Sequence, residues 1–374
     1  MFSKIKKRFC SFSCKEQNLG KESMSQITDD KPPVVPNVYA GEQNKATDAV
    51  TTTDTGVWSS KVDDIPFDDH QDDINKTDVI DVQFENVIKS TFATLSNGEY
   101  VVGLSLRGKA HIKDNKPCQD NHWYENIHDG WDLYIVSDGA GSAKYAERGS
   151  LANCKLLSKL IRQLLENKKW IKDNVLPTEL EWYIEMRSIF ESMRLFYKSK
   201  VEELSDGSVV KDFNATALVL LVTPKGMLSA HIGDGRMGYR NQNNEWHSLM
   251  TPHKGEEANQ TLFVTSSWDK PTIPSYRVSG LSVPEVRVVK EKAQVVVLMS
   301  DGCEKATWEC TMYDETKGKY ADKNTPFAGF LNPLVDSIDN TEEEKCSILK
   351  EIISDGTEAC SREQDDKTIL LGRY

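Results

Sequence analysis

The chain has 374 residues and a formal net charge of -12 at pH 7, a length that allows two domains, or one large domain with a tail, at roughly 100–200 residues per domain. The acidic balance argues against a nucleic-acid partner, which needs a basic surface, and no apolar run approaches the ~20 residues that cross a bilayer, so no membrane span is expected. Eight cysteines (Cys10, Cys14, Cys118, Cys154, Cys303, Cys310, Cys346 and Cys360) include no Cys-x-x-Cys pair; a zinc site has no support, and the set fits a reducing cytoplasm.

The start is basic, with Lys4, Lys6, Lys7 and Arg8, but no apolar segment follows, so no secretory signal is expected. A weak membrane-surface contact with Cys10 or Cys14 acylated is the alternative to a solvated start. Residues 1–90 are polar, with Pro32-Pro33, a Thr-rich stretch at 47–55 and the acidic pairs Asp63-Asp64, Asp68-Asp69 and Asp72-Asp73. Such composition buries too little apolar surface to offset ordering entropy, so a disordered arm is expected there. Within it, Trp58, Ile65 and Phe67 are candidates for a short docking motif. The folded domain is expected over 91–374.

Tyr100 to Leu106 and Trp131 to Val136 read as strands. Leu151, Cys154, Leu157, Ile161, Leu164 and Leu165 recur at helical spacing and predict a helix over 144–166; a second is predicted over 178–204, with Leu180, Tyr183, Met186, Ile189, Phe190, Met193 and Tyr197 on one face. Ala215 to Val222 and Met227 to Ile232 flank the turn Thr223-Pro224-Lys225-Gly226, an antiparallel hairpin; Met237 to Arg240 and Trp246 to Leu249 flank Asn241 to Asn244, another. Residues 251–285 look irregular. Ala293 to Met299 predicts a buried strand, two helices follow near 326–338 and 342–360, and Lys367 to Leu371 is the last strand. Hairpins imply antiparallel sheets, and helical pairs flank the strand sets. An α+β fold with four layers, helix–sheet–sheet–helix, satisfies these elements most economically.

Five aspartates sit where strands start or stop: Asp120 in Cys118-Gln119-Asp120-Asn121, Asp138 in Ser137-Asp138-Gly139, Asp234 in Gly233-Asp234-Gly235-Arg236, Asp301 in Ser300-Asp301-Gly302, and Asp365 in Asp365-Asp366-Lys367-Thr368. A lone Asp-Gly is a turn. Asp138 and Asp301 end strands and Asp365 precedes one, and in antiparallel neighbours such positions share a rim. Crowded carboxylates repel and take up protons unless a cation holds them. All-oxygen donors select magnesium or manganese, and Gly139 and Gly302 let the backbone turn close enough for a carbonyl to ligate.

With Ser105-Leu106-Arg107-Gly108, Pro117-Cys118-Gln119-Asp120, Asp138-Gly139-Ala140-Gly141-Ser142, Asn214-Ala215-Thr216-Ala217, Ile232-Gly233-Asp234-Gly235-Arg236, Ser300-Asp301-Gly302 and Asp365-Asp366-Lys367-Thr368 in this order, the chain resembles the metal-dependent protein phosphatases, the type 2C serine/threonine family, over about 93–374. The Arg107-Gly108-x-x-His111 and Gly255 to Thr261 segments are similar to a bacterial branch of it. The resemblance implies two Mg2+ or Mn2+ ions and a bridging water that attacks the phosphorus of phosphoserine or phosphothreonine in line, with no phosphoenzyme. It implies Asp138 bridging the ions, Asp301 and Asp365 holding one, Asp120 and the Gly139 carbonyl helping to hold the other, and Asp234 offering a third, weaker site.

Departures from the family pattern bear on the third ion and the phosphate. Lys305 stands four residues after Asp301, where a further ligand is often found, with Glu304 as a substitute. Asn115 takes the usual place of the phosphate-binding Arg, so Arg107, His111 and Lys116 become the candidate phosphate contacts. Ala140 stands where animal members carry a proton-donating His, leaving water or His111 as the acid. The 251–285 stretch matches the family's flap. The implied partners are a phosphoprotein substrate and a cognate Ser/Thr kinase, and the expected location is cytoplasmic. The competing readings are a pseudophosphatase that binds or scaffolds phosphoproteins, and a metal centre acting on a small phosphoester or nucleotide. No cysteine is followed six residues on by Arg, and no Gly-x-x-x-x-Gly-Lys-[Ser/Thr] loop is present.

Overall fold

A computed structural model of the chain describes residues 87–95, 98–254, 261–266, 283–316, 318–340 and 344–374. Residues 1–86 of the expected arm, with its basic start and the Trp58, Ile65 and Phe67 segment, lie outside the described residues, as do 255–260 and 267–282 of the stretch matched to a flap.

Two antiparallel sheets carry the fold. One holds β1 (Val87–Thr94), β2 (Tyr100–Leu106), β13 (Lys367–Arg373), β10 (Ala293–Met299), β7 (Arg236–Asn241) and β8 (Trp246–Ser248), in that order. The other runs β3 (Asn121–His128), β4 (Trp131–Ser137), β5 (Ala217–Thr223), β6 (Gly226–Ile232) and β9 (Glu285–Val289), while β11 (Met312–Asp314) and β12 (Lys319–Ala321) form a separate hairpin. Both predicted hairpins pair antiparallel. The central strands are apolar on both faces because each sheet is covered on both sides. Tyr134, Val136, Leu218, Leu220, Val296, Leu298 and Leu370 pack between the sheets. Alternate residues of the same strands, Leu133, Ile135, Val219 and Leu221, meet the helices α2 (Ala146–Asn167) and α3 (Glu179–Leu204). Val102, Leu104, Val295, Val297, Ile369 and Leu371 meet α4 (Ala328–Asp339) and α5 (Lys345–Asp355) on the far side. The result is the expected four-layer α+β sandwich.

Thr178 opens α3 with a capping box, its hydroxyl accepting from Glu181 N–H while the Glu181 carboxylate accepts from Thr178 N–H. The face expected for α3 needs one correction. Leu180 is 67% exposed, and Trp182 is buried instead, its indole N–H donating to Ser229 O at 2.8 Å. The long helix expected near 342–360 breaks at Gly356; Thr357 caps a separate turn, Glu358–Arg362. Cys154 and Cys346 are buried among apolar side chains, as their helical spacing implies.

Order also reaches back into the expected arm, since β1 starts at Val87. Ser90, the last residue of the expected arm, and Thr91, the first of the expected domain, are both buried. Thr91 Oγ1 lies 3.0 Å from His122 Nε2, and His122 Nδ1 lies 2.8 Å from Ser105 Oγ, so one buried histidine ties the two sheets together. Burial holds that ring neutral, its proton affinity well below the usual range.

Candidate metal centre

Strand register gathers the aspartates. Asn121 pairs with Ser137, so Asp120 before β3 and Asp138 after β4 fall on the same rim. Ala217 pairs with Ile232, which brings the β6–β7 turn and Asp234 to that rim. Met299 pairs with both Arg236 and Ile369, so Asp301 after β10 and Asp365 before β13 join them from the other sheet. The two sheets are stitched there: Ser300 Oγ donates to Asp120 Oδ2 at 2.6 Å, and Gln119 N–H donates to Asp366 Oδ2 at 2.6 Å. Gly302 is needed for this approach, because a Cβ on it would sit 1.9 Å from the Asp366 carbonyl oxygen.

The rim is electrostatically unfavourable to itself. Asp138 has its proton affinity pushed far up, first by burial and then by Asp120, Asp301, Asp365 and Asp234. Asp120 is raised by burial and Asp366 against a lowering by Ser300. Asp301 and Asp365 are raised mainly by burial, and Asp301 also by Asp365. Asp234 is pushed up to about 7 by burial and Asp301. Five oxygen donors that stay ionised together only beside positive charge fit a divalent cation of the hard, oxygen-seeking kind. The turn that carries Asp138 is built for it: Asp138 N–H donates to Thr216 Oγ1 at 3.0 Å, its carbonyl accepts from Thr216 N–H at 2.8 Å, and Gly139 N–H donates to Gln119 O at 3.1 Å.

The expected phosphate contacts are spread along the loop from β2 to β3. Arg107 Nη2 donates to His111 O at 3.0 Å, while its Nε is buried with no partner among the described residues. His111 lies in the short helix α1 (Lys109–Lys113), buried, with Nδ1 2.9 Å from Asp366 Oδ2. Lys116 is exposed on the turn after Asn115, whose φ is 53°.

Asp366 was not singled out from the sequence, where it reads as the second Asp of a pair. It is 2% exposed and binds three groups: Gly108 N–H at 2.6 Å, Gln119 N–H at 2.6 Å and the His111 ring. It therefore fixes the Arg107 loop against the rim. Glu304, named from the sequence as a substitute ligand, is paired with cationic side chains. Glu304 is held by the fully buried Arg236 (Nε 3.0 Å, Nη2 2.8 Å) and by Lys254 (2.8 Å), and Arg236 also reaches Asp322 at 2.5 Å and Asn324 at 2.8 Å. Lys305 is exposed and pairs with Glu363 at 2.8 Å. The cation that lowers the proton affinity of both Asp234 and Asp301 is Lys254.

The family model described as protein phosphatase 2C matches residues 107–353, about two thirds of the chain. Serine/threonine-protein phosphatase 3 of Escherichia coli (strain K12) is 25% identical over 285 residues, covering 73% of this chain and 98% of that protein. The crystal structure of serine/threonine phosphatase Stp1 from Staphylococcus aureus is similar over 77% of this chain and 99% of its own, with a TM-score of 0.47 and 14% identity. RsbX, solved in complex with magnesium, is similar over 76% and 99%, with a TM-score of 0.42 and 14% identity. With the family model spanning the rim from Arg107 past Asp301, the chain belongs to the protein phosphatase 2C family and is a metal-dependent serine/threonine protein phosphatase.

Proposed function

We propose that the rim holds two Mg2+ or Mn2+ ions through Asp120, Asp138, the Gly139 carbonyl, Asp301 and Asp365, with Asp234 serving a third and weaker site. The observation that supports this reading is the strand register, which brings Asp120, Asp138, Asp234, Asp301 and Asp365 from both sheets to one rim. Bound there, divalent cations supply an acidified water and neutralise charge on the phosphoryl oxygens.

The chain's own residues do the rest. Arg107, whose buried Nε has no partner among the described residues, binds the phosphate oxygens, and Lys116 adds charge at the loop's exposed end. Asp366 keeps that loop in place. It also occupies His111 Nδ1, so a proton passed by His111 to the leaving oxygen comes from Nε2. The substrate is a phosphoserine or phosphothreonine protein made by a cognate kinase, and the location is the cytoplasm. A module that only binds phosphoproteins has no use for five crowded carboxylates, which disfavours the scaffold reading.

The test is manganese-dependent phosphate release from a phosphothreonine peptide by the full chain and by Asp138→Asn. Release that needs the metal and is absent from the variant, with its unfolding transition retained, is expected. An active Asp138→Asn protein refutes the ligand assignment.

A further inference from the structure

Away from the carboxylates, three buried residues converge: His231 in β6, His253, and Glu285 at the start of β9, with one ligand atom of each within 4.8 Å of the others. The hydrogen bonds they already make oppose a metal. Gly233 N–H donates to His253 Nδ1 at 3.2 Å, so in the neutral ring Nε2 carries the proton and offers no lone pair. Glu285 accepts from Thr251 N–H at 3.2 Å and from Arg287 Nη2 at 2.8 Å. The cluster is instead a brace. His231 Nε2 donates to Thr251 O at 3.0 Å, and the two imidazoles stack with centroids 4.5 Å apart at 25°.

The brace ends on Gly233, the residue before Asp234. Gly233 has φ +131°, and a Cβ on it would lie 2.5 Å from Thr216 Cβ, so only glycine fits. Glycine meets the steric demand but leaves the turn without a side chain to hold its direction. His253 supplies that hold twice, since its Nδ1 accepts Gly233 N–H and its own N–H donates to Gly233 O at 2.8 Å. Thr261 Oγ1 donates to the His253 carbonyl at 3.0 Å and anchors the residue from the other side.

We propose that His253 is a positioning residue for Asp234: by binding both polar groups of Gly233 it aims the Asp234 carboxylate into the metal rim. This rests on Asp234 being a ligand there. The proposal does not require His253 to touch metal or substrate.

The test is manganese binding to the full chain, read as free Mn2+ by electron paramagnetic resonance, with activity on a phosphothreonine peptide measured alongside. Asp234→Asn removes the weakest-binding class of ion. His253→Ala weakens that class about tenfold, as loss of an outer-shell partner does, and leaves the tighter ions as in the parent. His253→Asn, whose Oδ1 can accept the same Gly233 N–H, restores most of the binding. The double variant His253→Ala with Asp234→Asn titrates like Asp234→Asn alone, because the two act as one unit. Where His253→Ala does not fold, His253→Gln, which displaces the acceptor by a methylene, takes its place. Unchanged binding in the His253 variant while Asp234→Asn is weakened overturns this proposal alone. Parent-like binding in Asp234→Asn overturns the ligand reading and this proposal together.

Discussion

Removing divalent cations turns the rim into a pH-dependent load on the fold, and Asp234 gives the load a size. Its carboxyl is raised from 3.8 to about 7 in the metal-free protein. A carboxyl that binds its proton more tightly folded than unfolded adds stability at low pH, and that stability is lost as pH climbs through the folded value. At about 1.4 kcal/mol per tenfold change in proton affinity, the full contribution is about 4 kcal/mol below pH 3.8. About 2 kcal/mol of it remains at pH 5.5, and almost none at pH 8. Two buried neutral histidines, His122 and His231, act the other way, because their proton affinity is lowered on folding. Each adds stability as pH rises through the unfolded ring's value near 6.5. The total is therefore uninformative, and the useful quantity is the difference between parent and Asp234→Asn, in which the histidine contributions cancel. Urea unfolding in EDTA at pH 5.5 and pH 8 should show the parent losing about 2 kcal/mol more than the variant as pH rises, and saturating manganese should abolish the excess. An equal pH dependence in the two proteins would falsify the view that Asp234 is crowded by the rim.

Three further outcomes are expected. Asp366→Asn turns an amide N–H2 toward one of two buried backbone donors, Gly108 N–H or Gln119 N–H; a loss of about 2–3 kcal/mol by thermal unfolding is expected, and an unchanged midpoint argues against the clamp. Arg236→Met leaves Glu304 and Asp322, 14% and 28% exposed at the side chain, with Lys254 as their remaining cation and able to rehydrate in part. The cost should sit at the lower end for a broken buried pair, about 3 kcal/mol in denaturant. Arg107→Ala should raise KM for a phosphopeptide by tenfold or more, about 1.4 kcal/mol, with manganese activation unchanged; an unaltered KM removes Arg107 from the phosphate site.

What the sequence carried legibly was whatever a few neighbouring residues encode. Ala293–Met299 reads as a strand because six of its seven residues are apolar, as a sheet covered on both faces requires, and it ends in Ser300-Asp301-Gly302. The spacing of Met186, Ile189, Phe190, Met193 and Tyr197 places α3 within a residue of its observed start. Such signals located the sheets, the helices and the five aspartates at strand ends. They erred where packing overrode local pattern: Leu180 fits the apolar spacing of α3 yet points to solvent, and Ser90, assigned to the arm, is buried in β1.

The partnerships were decided only in three dimensions. Asp366 finds Gly108 across 258 positions of chain, and Arg236 finds Asp322 and Glu304 across 86 and 68. No local spacing distinguishes Asp366, a buried clamp, from Asp365, its neighbour at the rim. Alternation along a strand says only that adjacent side chains face opposite ways; which carboxylate meets a cation and which holds a loop depends on strand register between distant segments. The residue types at the rim, and hence the chemistry, were written in the chain, while the division of labour among them came from the packing of one sheet on the other.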